Sequence, residues 1–337
     1  MKKLLSILNH PIWLYKLVII CLLISLSNSC SEKPQNDNQE AISEQAPDKY
    51  MQNGRLVFKT QDAYMNHLKW IHLNQTKPEV IRRFNSQIGL VSMKEIFDQG
   101  MELVDNQNEF LVFVDNYKNV FEKITDQENS VIYEIEAPPT FAYLANQDGV
   151  FQVGNTIYRL TYNFTIEIID GDETKIPKIV SYDESIIDPS IKAKTTSIGK
   201  KGQLYYRTNY FSDTKRMVSR HWESIVMGLY TYRVETTGQS RVLGVWVQKK
   251  LNYIEASWTT GYYRTCYYGS FDGCWFPDYP INSGGASYED KANVDIVFLL
   301  EDYPVLLDVS YCFATHRGQL ESGGPFLVRQ DDALEDL

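Results

Sequence analysis

Two periodicities divide this chain. Between residues 51 and 125, apolar positions recur every three or four residues, and after Asp126 they alternate with a period near two. In the first stretch, Leu56-Val57-Phe58 reads as a short strand. Thr60 then caps a helix carrying Tyr64, Leu68 and Ile71. Pro78 suits the first turn of a second helix with Val80, Ile81 and Phe84, and Gly89 ends it. Ser92 caps a third, with Met93, Ile96 and Phe97 on one side. A fourth follows Asn106 and places Phe110, Phe113, Tyr117, Val120 and Phe121 on one face. Such stripes are core positions and carry no function.

The second stretch predicts sheet. Residues 151–158 read as a hairpin turning at Gly154-Asn155, and Tyr162 to Ile169 as a strand ending in a hairpin turn at Asp170-Gly171. Polar residues 182–202 read as a linker or long loop. Alternation then runs through 225–230, breaks at a turn over Thr237-Gly238-Gln239-Ser240, and resumes in a central strand from Arg241 to Gln248. Ile254, Ala256 and Trp258 share one face of the next strand, Val294, Ile296, Phe298 and Leu300 one face of a later strand, and Val305 to Phe313 alternate again. The expected class is α+β: a small helical N-terminal subdomain (51–125), a β-hairpin-rich connecting region (126–202), and a mainly antiparallel, sandwich-like domain (203–320). An acidic, Gly-containing tail (321–337) is expected to fray.

The first 50 residues follow different rules. Lys2 and Lys3 precede an apolar run, Leu17 to Leu26, of signal-peptide length, and the triplet Ser27-Asn28-Ser29 leads to Cys30. Lys16 blocks extension of that run to the ~20 residues a membrane span needs. Residues 1–29 therefore read as a signal peptide, with Cys30 as the first mature residue and the site of lipidation. An aliphatic residue is usual three positions before such a cysteine; here Ser27 stands there, a looser arrangement similar to signals of the Bacteroidetes group. An ordinary secretory signal, leaving Cys30 as a free or paired thiol, is the alternative. Residues 30–50 are polar and without apolar pattern, so they read as a disordered tether with a reach of roughly 25 Å.

Charge and cysteines narrow the setting. Lys2, Lys3 and Lys16 are the only formally charged residues of the first 29, so removing that segment takes the net charge from −10 to −13. An acidic, well-mixed chain argues against nucleic acid as partner and against adsorption on anionic lipid. The partners expected are the membrane, through the lipid, and a glycan or envelope protein. Cys266 and Cys274 flank a Gly-rich turn and can form a disulfide, with Cys312 as a buried thiol; pairing of Cys312 with either is the rival.

The signal, the segment Gly54 to Lys59, the segment Asp148 to Tyr158, and Trp222 with Val234-Glu235-Thr236 and Gly244-Val245-Trp246 together resemble a group of Bacteroidales cell-envelope lipoproteins built on a domain of unknown function. The resemblance implies an outer-membrane lipoprotein of the cell envelope, on its periplasmic or surface face. It implies no activity and no site residues.

A reaction is not legible. His67 and His72 are five apart and share a helix face poorly. His221-Trp222-Glu223 lacks the second histidine of a zinc-protease helix. Cys312 and His316, four apart on a strand, lie about 13 Å from each other, beyond hydrogen-bond reach unless another histidine approaches. Asp170-Gly171-Asp172-Glu173 lacks the full ligand pattern for calcium. No phosphate loop or nucleophile elbow is present, and no cofactor or metal is expected. Among 43 acids, no pair selects itself as a hydrolase's carboxylates.

The aromatic density from Tyr253 to Tyr279 is the remaining clue. Trp258, Tyr262, Tyr263, Tyr267, Tyr268, Trp275 and Tyr279 form a candidate ligand-binding surface, since such rings stack on sugar faces or anchor protein interfaces. The same rings also suit a sheet core. The expected function is a non-catalytic envelope module binding a glycan or protein there. An envelope hydrolase with unrecognised carboxylates and a structural subunit of an outer-membrane assembly are the alternatives.

Overall fold

Asn53 and Gly54, both at positive φ (49° and 75°), turn the chain back on itself and pair β1 (Lys49–Gln52) with β2 (Arg55–Phe58). The computed structural model describes residues 48–125, 131–181, 188–195, 203–266, 279–280, 283–302 and 306–332, at some strand positions by backbone alone. Four helices follow β2. In α1 (Gln61–Asn74) the Thr60 hydroxyl accepts from the Ala63 N–H at 3.1 Å, and Tyr64, Leu68 and Ile71 are buried. α2 (Pro78–Ile88) starts on proline and ends at Gly89, whose φ of 78° only glycine adopts freely. α3 (Met93–Met101) has a full capping box between Ser92 and Glu95. α4 (Gln107–Asn116) is shorter than its aromatic stripe suggested. It stops at Asn116, and Phe121 opens β3 (Phe121–Thr125) while still packing edge-on against Phe110 and Phe113.

β4 (Val131–Ile135) pairs with β3, and a one-turn helix, α5 (Pro139–Ala142), leads to the hairpin of β5 (Val150–Val153) and β6 (Thr156–Leu160). That hairpin turns at Gly154-Asn155, as the pattern predicts. β7 (Phe164–Ile168) does not enter a hairpin turn at Asp170-Gly171. The chain detours through a 3-10 turn at Glu173–Lys175 and α6 (Ile176–Val180) before β8 (Ile191–Thr195) returns antiparallel to β7. Asp170, Asp172 and Asp188 all point at the Lys175 ammonium, so a lysine fills the place a cation would take.

The long strands then follow: β9 (Gln203–Ser212), β10 (Lys215–Val226), β11 (Leu229–Val242), β12 (Val245–Gln248) and β13 (Leu251–Cys266). The expected strand through 225–230 is instead a tight turn at Met227-Gly228, with φ of 53° and 76°. The expected turn at 237–240 is instead continuous strand within β11, and the expected central strand 241–248 is a hairpin turning at Leu243-Gly244, with φ of 49° and 88°. Gly238 is small for another reason. A Cβ there would meet the Lys249 carbonyl oxygen and Leu251 Cγ, both at 2.6 Å, because the chain crosses over it. β14 (Tyr279–Pro280), β15 (Gly284–Lys291), β16 (Asn293–Asp302), β17 (Leu306–Gln319) and β18 (Phe326–Asp332) complete the order. β18 pairs with β17, so this part of the tail is strand and does not fray.

The class is α+β. Among the described residues, one sheet runs β1-β2-β5-β6-β7-β8; a second runs β3-β4-β12-β11-β10-β9, with β16 also on β11; a third runs β14-β13-β17-β18, with β15 also on β13. Pairing is antiparallel except β2 with β5 and β12 with β4. The second sheet thus takes strands from both sides of residue 203. The largest core lies between the helices and the first sheet, with Phe58, Tyr64, Phe141 and Phe151 fully buried. A second apolar cluster joins the second and third sheets through Tyr232, Val234, Ile254, Trp258, Val294 and Ala314.

Candidate functional site

Of the residues expected to form an aromatic binding surface, Trp258 is in the core. It is 8% exposed, and its ring occupies the space where a Cβ on Gly284 would fall, 2.5 Å from Cζ2. Ile254, Ala256 and Trp258 do share a face, but that face meets the second sheet. Tyr262 and Tyr263 lie on β13, and Tyr279 on β14 directly across from Tyr263. Tyr267, Tyr268, Cys274 and Trp275 lie outside the described residues, as do Cys30 and residues 31–47 of the expected tether; its last residues are not disordered, since Lys49 and Tyr50 pair with Phe58 and Val57 in β1. Cys266 ends β13, opposite Leu306.

A concave surface formed by described residues lies elsewhere, and it needs no member of that set. A cleft opens between α2, α3 and the β15–β16 connection. Its deep part, about 70 Å³, is lined by Phe97, Pro139, Tyr143 and Tyr288, with Asn293 and Asp295. That volume holds about two waters. It continues into a shallower trough of about 320 Å³ bounded by Arg82, Asp98, Glu102 and Lys291. Only the trough has room for a ring-sized ligand.

The polar groups here are fixed by one another. Asp98 accepts from Arg82 Nη2 at 3.0 Å and also binds Lys94, four residues before it on α3. Asp98 is placed one helical turn after Lys94, and Arg82 reaches it from the neighbouring helix. Lys94 also lies over the Phe97 and Tyr143 rings, at 5.7 and 6.0 Å from their centroids. Lys291 binds Glu102, which also accepts from Lys250 at 2.9 Å. Arg82 is 45% and Lys291 38% exposed, so both keep N–H groups turned to solvent. Burial, with Asp98 and Glu79 nearby, pushes the Tyr288 hydroxyl up to about 12, so it stays a hydrogen-bond donor. Burial raises the Glu95 carboxyl as well. The result is a wall of guanidinium, ammonium and phenol groups in which Asp98 and Glu102 are engaged by cations, while Glu95 accepts from the Ser92 N–H and leaves its other oxygen buried without a partner among the described residues. It suits hydrogen bonding to hydroxyl-rich or anionic groups.

Beneath the cleft, Asp295 leads into a buried charge network on one face of the second sheet. Arg233 forks onto Asp295, with Nε 3.0 Å from Oδ1. Arg220 lies between Glu134 and Glu235, binding the first and reaching the second at 2.6 Å. Burial, with Glu134 and Asp295 alongside, raises Glu235 to about 7 against the pull of Arg220 and Arg233. On the opposite face, His221 of β10 and His316 of β17 bridge two sheets, Nε2 to Nε2, at 3.0 Å. The partner that approaches His316 is therefore His221. Thr236 donates its hydroxyl to the Glu255 carbonyl at 2.7 Å, so it accepts from His316 Nδ1–H at 2.8 Å. Burial and Arg329 hold His316 down at about 3. A neutral His316 protonated on Nδ1 must accept at Nε2, so His221 donates there.

Sequence reasoning missed the cleft because its residues come from four separate segments, each reading as an ordinary helix or strand surface. Among the described residues, no three or more His, Cys, Asp or Glu side chains group as metal ligands, and no helix is long and apolar enough to cross a membrane. No family model matches the sequence, and no curated protein matches it. Among solved structures, the chain is similar to the crystal structure of a DUF4848 family protein from Bacteroides thetaiotaomicron, at 15% identity and a TM-score of 0.29, over 84% of this chain and 100% of that one. A likeness that shallow carries no argument about what the chain does.

Proposed function

We propose that the chain is a lipid-anchored envelope protein that binds a glycan without turning it over, and that the cleft beside Arg82, Tyr288 and Lys291 is where it does so. The observation carrying this reading is the trough itself, where exposed guanidinium and ammonium groups stand beside Asp98, a carboxylate held by two cations, and which adjoins the deep part lined by Phe97, Tyr143 and Tyr288. Sugars are recognised by such fixed polar groups next to a ring face. A carboxylate pinned by both Arg82 and Lys94 is poorly placed to give or take protons, which favours binding over hydrolysis. The second and third sheets, sharing one apolar cluster, are read as the sandwich-like pair that supports the site.

The anchor reading rests on Cys30 and the signal pattern before it. The aromatic stretch that continues beyond Trp258 through Tyr262, Tyr263 and Tyr279 stays a second contact surface for a protein partner in the envelope. The test is a glycan array probed with the Cys30→Ser protein. Arg82→Ala or Lys291→Ala is expected to weaken the strongest hit by about tenfold or more, the scale of one charge-assisted hydrogen bond. Binding that survives both changes would remove the cleft from consideration. Release of reducing ends from the bound glycan would replace this reading with a hydrolase. In that case Glu95, which lines the trough and whose carboxyl burial raises, is the first acid to replace.

A further inference from the structure

Lys49 stands on β1, the first described strand, and its amine is unusually surrounded. Nζ lies 3.0 Å from His67 Nδ1 and 4.4 Å from the centroid of the Phe84 ring. His67 is itself walled in by rings: Trp70 stacks on it at 5.3 Å and 10°, with Phe84 at 4.9 Å and Phe58 at 5.6 Å. Among the described residues, no carboxylate comes within ion-pair reach of Lys49, and His67 Nε2 has no hydrogen-bond partner although the residue is only 4% exposed. Lys49 itself is partly exposed. An ammonium with an aromatic wall, no counter-ion and a neutral imidazole as its polar neighbour is poorly solvated as a cation. Burial accordingly lowers Lys49 to about 8, and burial together with Lys49 holds His67 well below its usual range.

We infer that Lys49 is a reactive amine that captures small aldehydes as Schiff bases, with His67 taking and returning the proton. The amine lone pair attacks the carbonyl carbon, a C–N bond forms, and the carbonyl π pair moves to oxygen. His67 Nδ1 takes the proton that nitrogen sheds and passes it to that oxygen, giving a carbinolamine. The nitrogen lone pair then closes the C=N bond as the C–O bond breaks, and the second N–H proton, taken by His67 Nδ1, is passed to the departing hydroxyl, which leaves as water. No oxidant or reductant is needed, and the step reverses by hydrolysis. The ligand class is a small carbonyl compound. The inference is independent of the glycan cleft, which contains neither residue.

The experiment treats the full chain with propionaldehyde and sodium cyanoborohydride at pH 7.5. The hydride of the reagent traps each imine as a secondary amine, and peptide mapping ranks the lysines. Lys49 is expected to be labelled at least tenfold faster than exposed lysines such as Lys59 and Lys69, with a rate–pH midpoint near 8. Lys49→Arg removes that fast label and no other. His67→Phe keeps a ring in the stack and is expected to slow capture at Lys49 several-fold. The wild-type ranking and midpoint stand without any variant, should His67→Phe fail to fold. Labelling of Lys49 at the rate of surface lysines, or a folded His67→Phe protein that reacts as fast as wild type, overturns the inference.

Discussion

Glu235 shows how a single buried residue couples this fold to pH. It faces Arg220 directly across the β10–β11 pairing, yet it shares its surroundings with Glu134 and Asp295. Between pH 4.5 and 7 the folded chain holds a proton on Glu235 that the unfolded chain releases. This carboxyl therefore favours the fold at low pH and ceases to as pH rises through 7. Glu235→Gln mimics the protonated form. Urea denaturation from pH 5 to 8 is expected to show wild type losing ground to the variant, by at most about 1.4 kcal/mol per pH unit. Parallel curves would refute the raised carboxyl. His316 acts in the opposite sense. Its depressed basicity contributes stability that is present above pH 6.5 and is lost as pH falls toward 3. Its ring signals in NMR are expected to stay constant from pH 8 to 5; a titration centred near 6.5 would show that the bridge to His221 does not form.

At the scale of elements, the helices were legible and the long strands were not. Caps act locally: Thr60, Ser92 and Gly89 each stop or start a helix through bonds to residues within four positions. Turns in the sheets obeyed a rule that residue type hides. Met227-Gly228 and Leu243-Gly244 adopt the conformation expected of Asn-Gly, although methionine and leucine resist positive φ. Leu243 projects fully into solvent at that strained angle. Leu243→Asn is therefore expected to stabilise the protein by about 1 kcal/mol, read as a raised denaturation midpoint. The polar tetrad around Gly238 reads as a turn because its glycine is needed for close approach, a fact visible only once Lys249 and Leu251 are seen crossing it. Gly238→Ala should cost about 2 kcal/mol, and an unaltered midpoint would mean the crossing is looser than described. The aromatic stripe after Asn106 misled for a related reason. Phe121 packs with the helix it no longer belongs to, so the stripe reports a shared core and not a continuous helix.

For the whole molecule, the proposed lipid anchor at Cys30 makes a prediction about membrane partitioning. If Cys30 carries acyl chains, Cys30→Ser is expected to move the protein from the membrane pellet to the soluble fraction and to abolish fatty-acid labelling. With no acyl chain left to bury in the bilayer, near-complete release is the expected outcome. Unchanged partitioning would show that something other than Cys30 holds it. The folded residues that follow supply a cleft and an unusual lysine in separate surroundings, the one bounded by α2, α3 and Lys291, the other by β1 and α1. The second sheet draws β3 and β4 from before residue 203 beside β9 to β12, and so ties the helical stretch to the long strands.

Amphipathic period, helix caps and the Gly154-Asn155 hairpin follow from neighbours a few positions apart, and the chain alone determined them. The cleft, the burial of Trp258, the His221–His316 bridge and the aromatic wall around Lys49 were decided only in three dimensions. Each joins segments tens of residues or more apart, or depends on which face of a strand meets another sheet, and a one-dimensional pattern is silent about what lies across a sheet or beneath a helix.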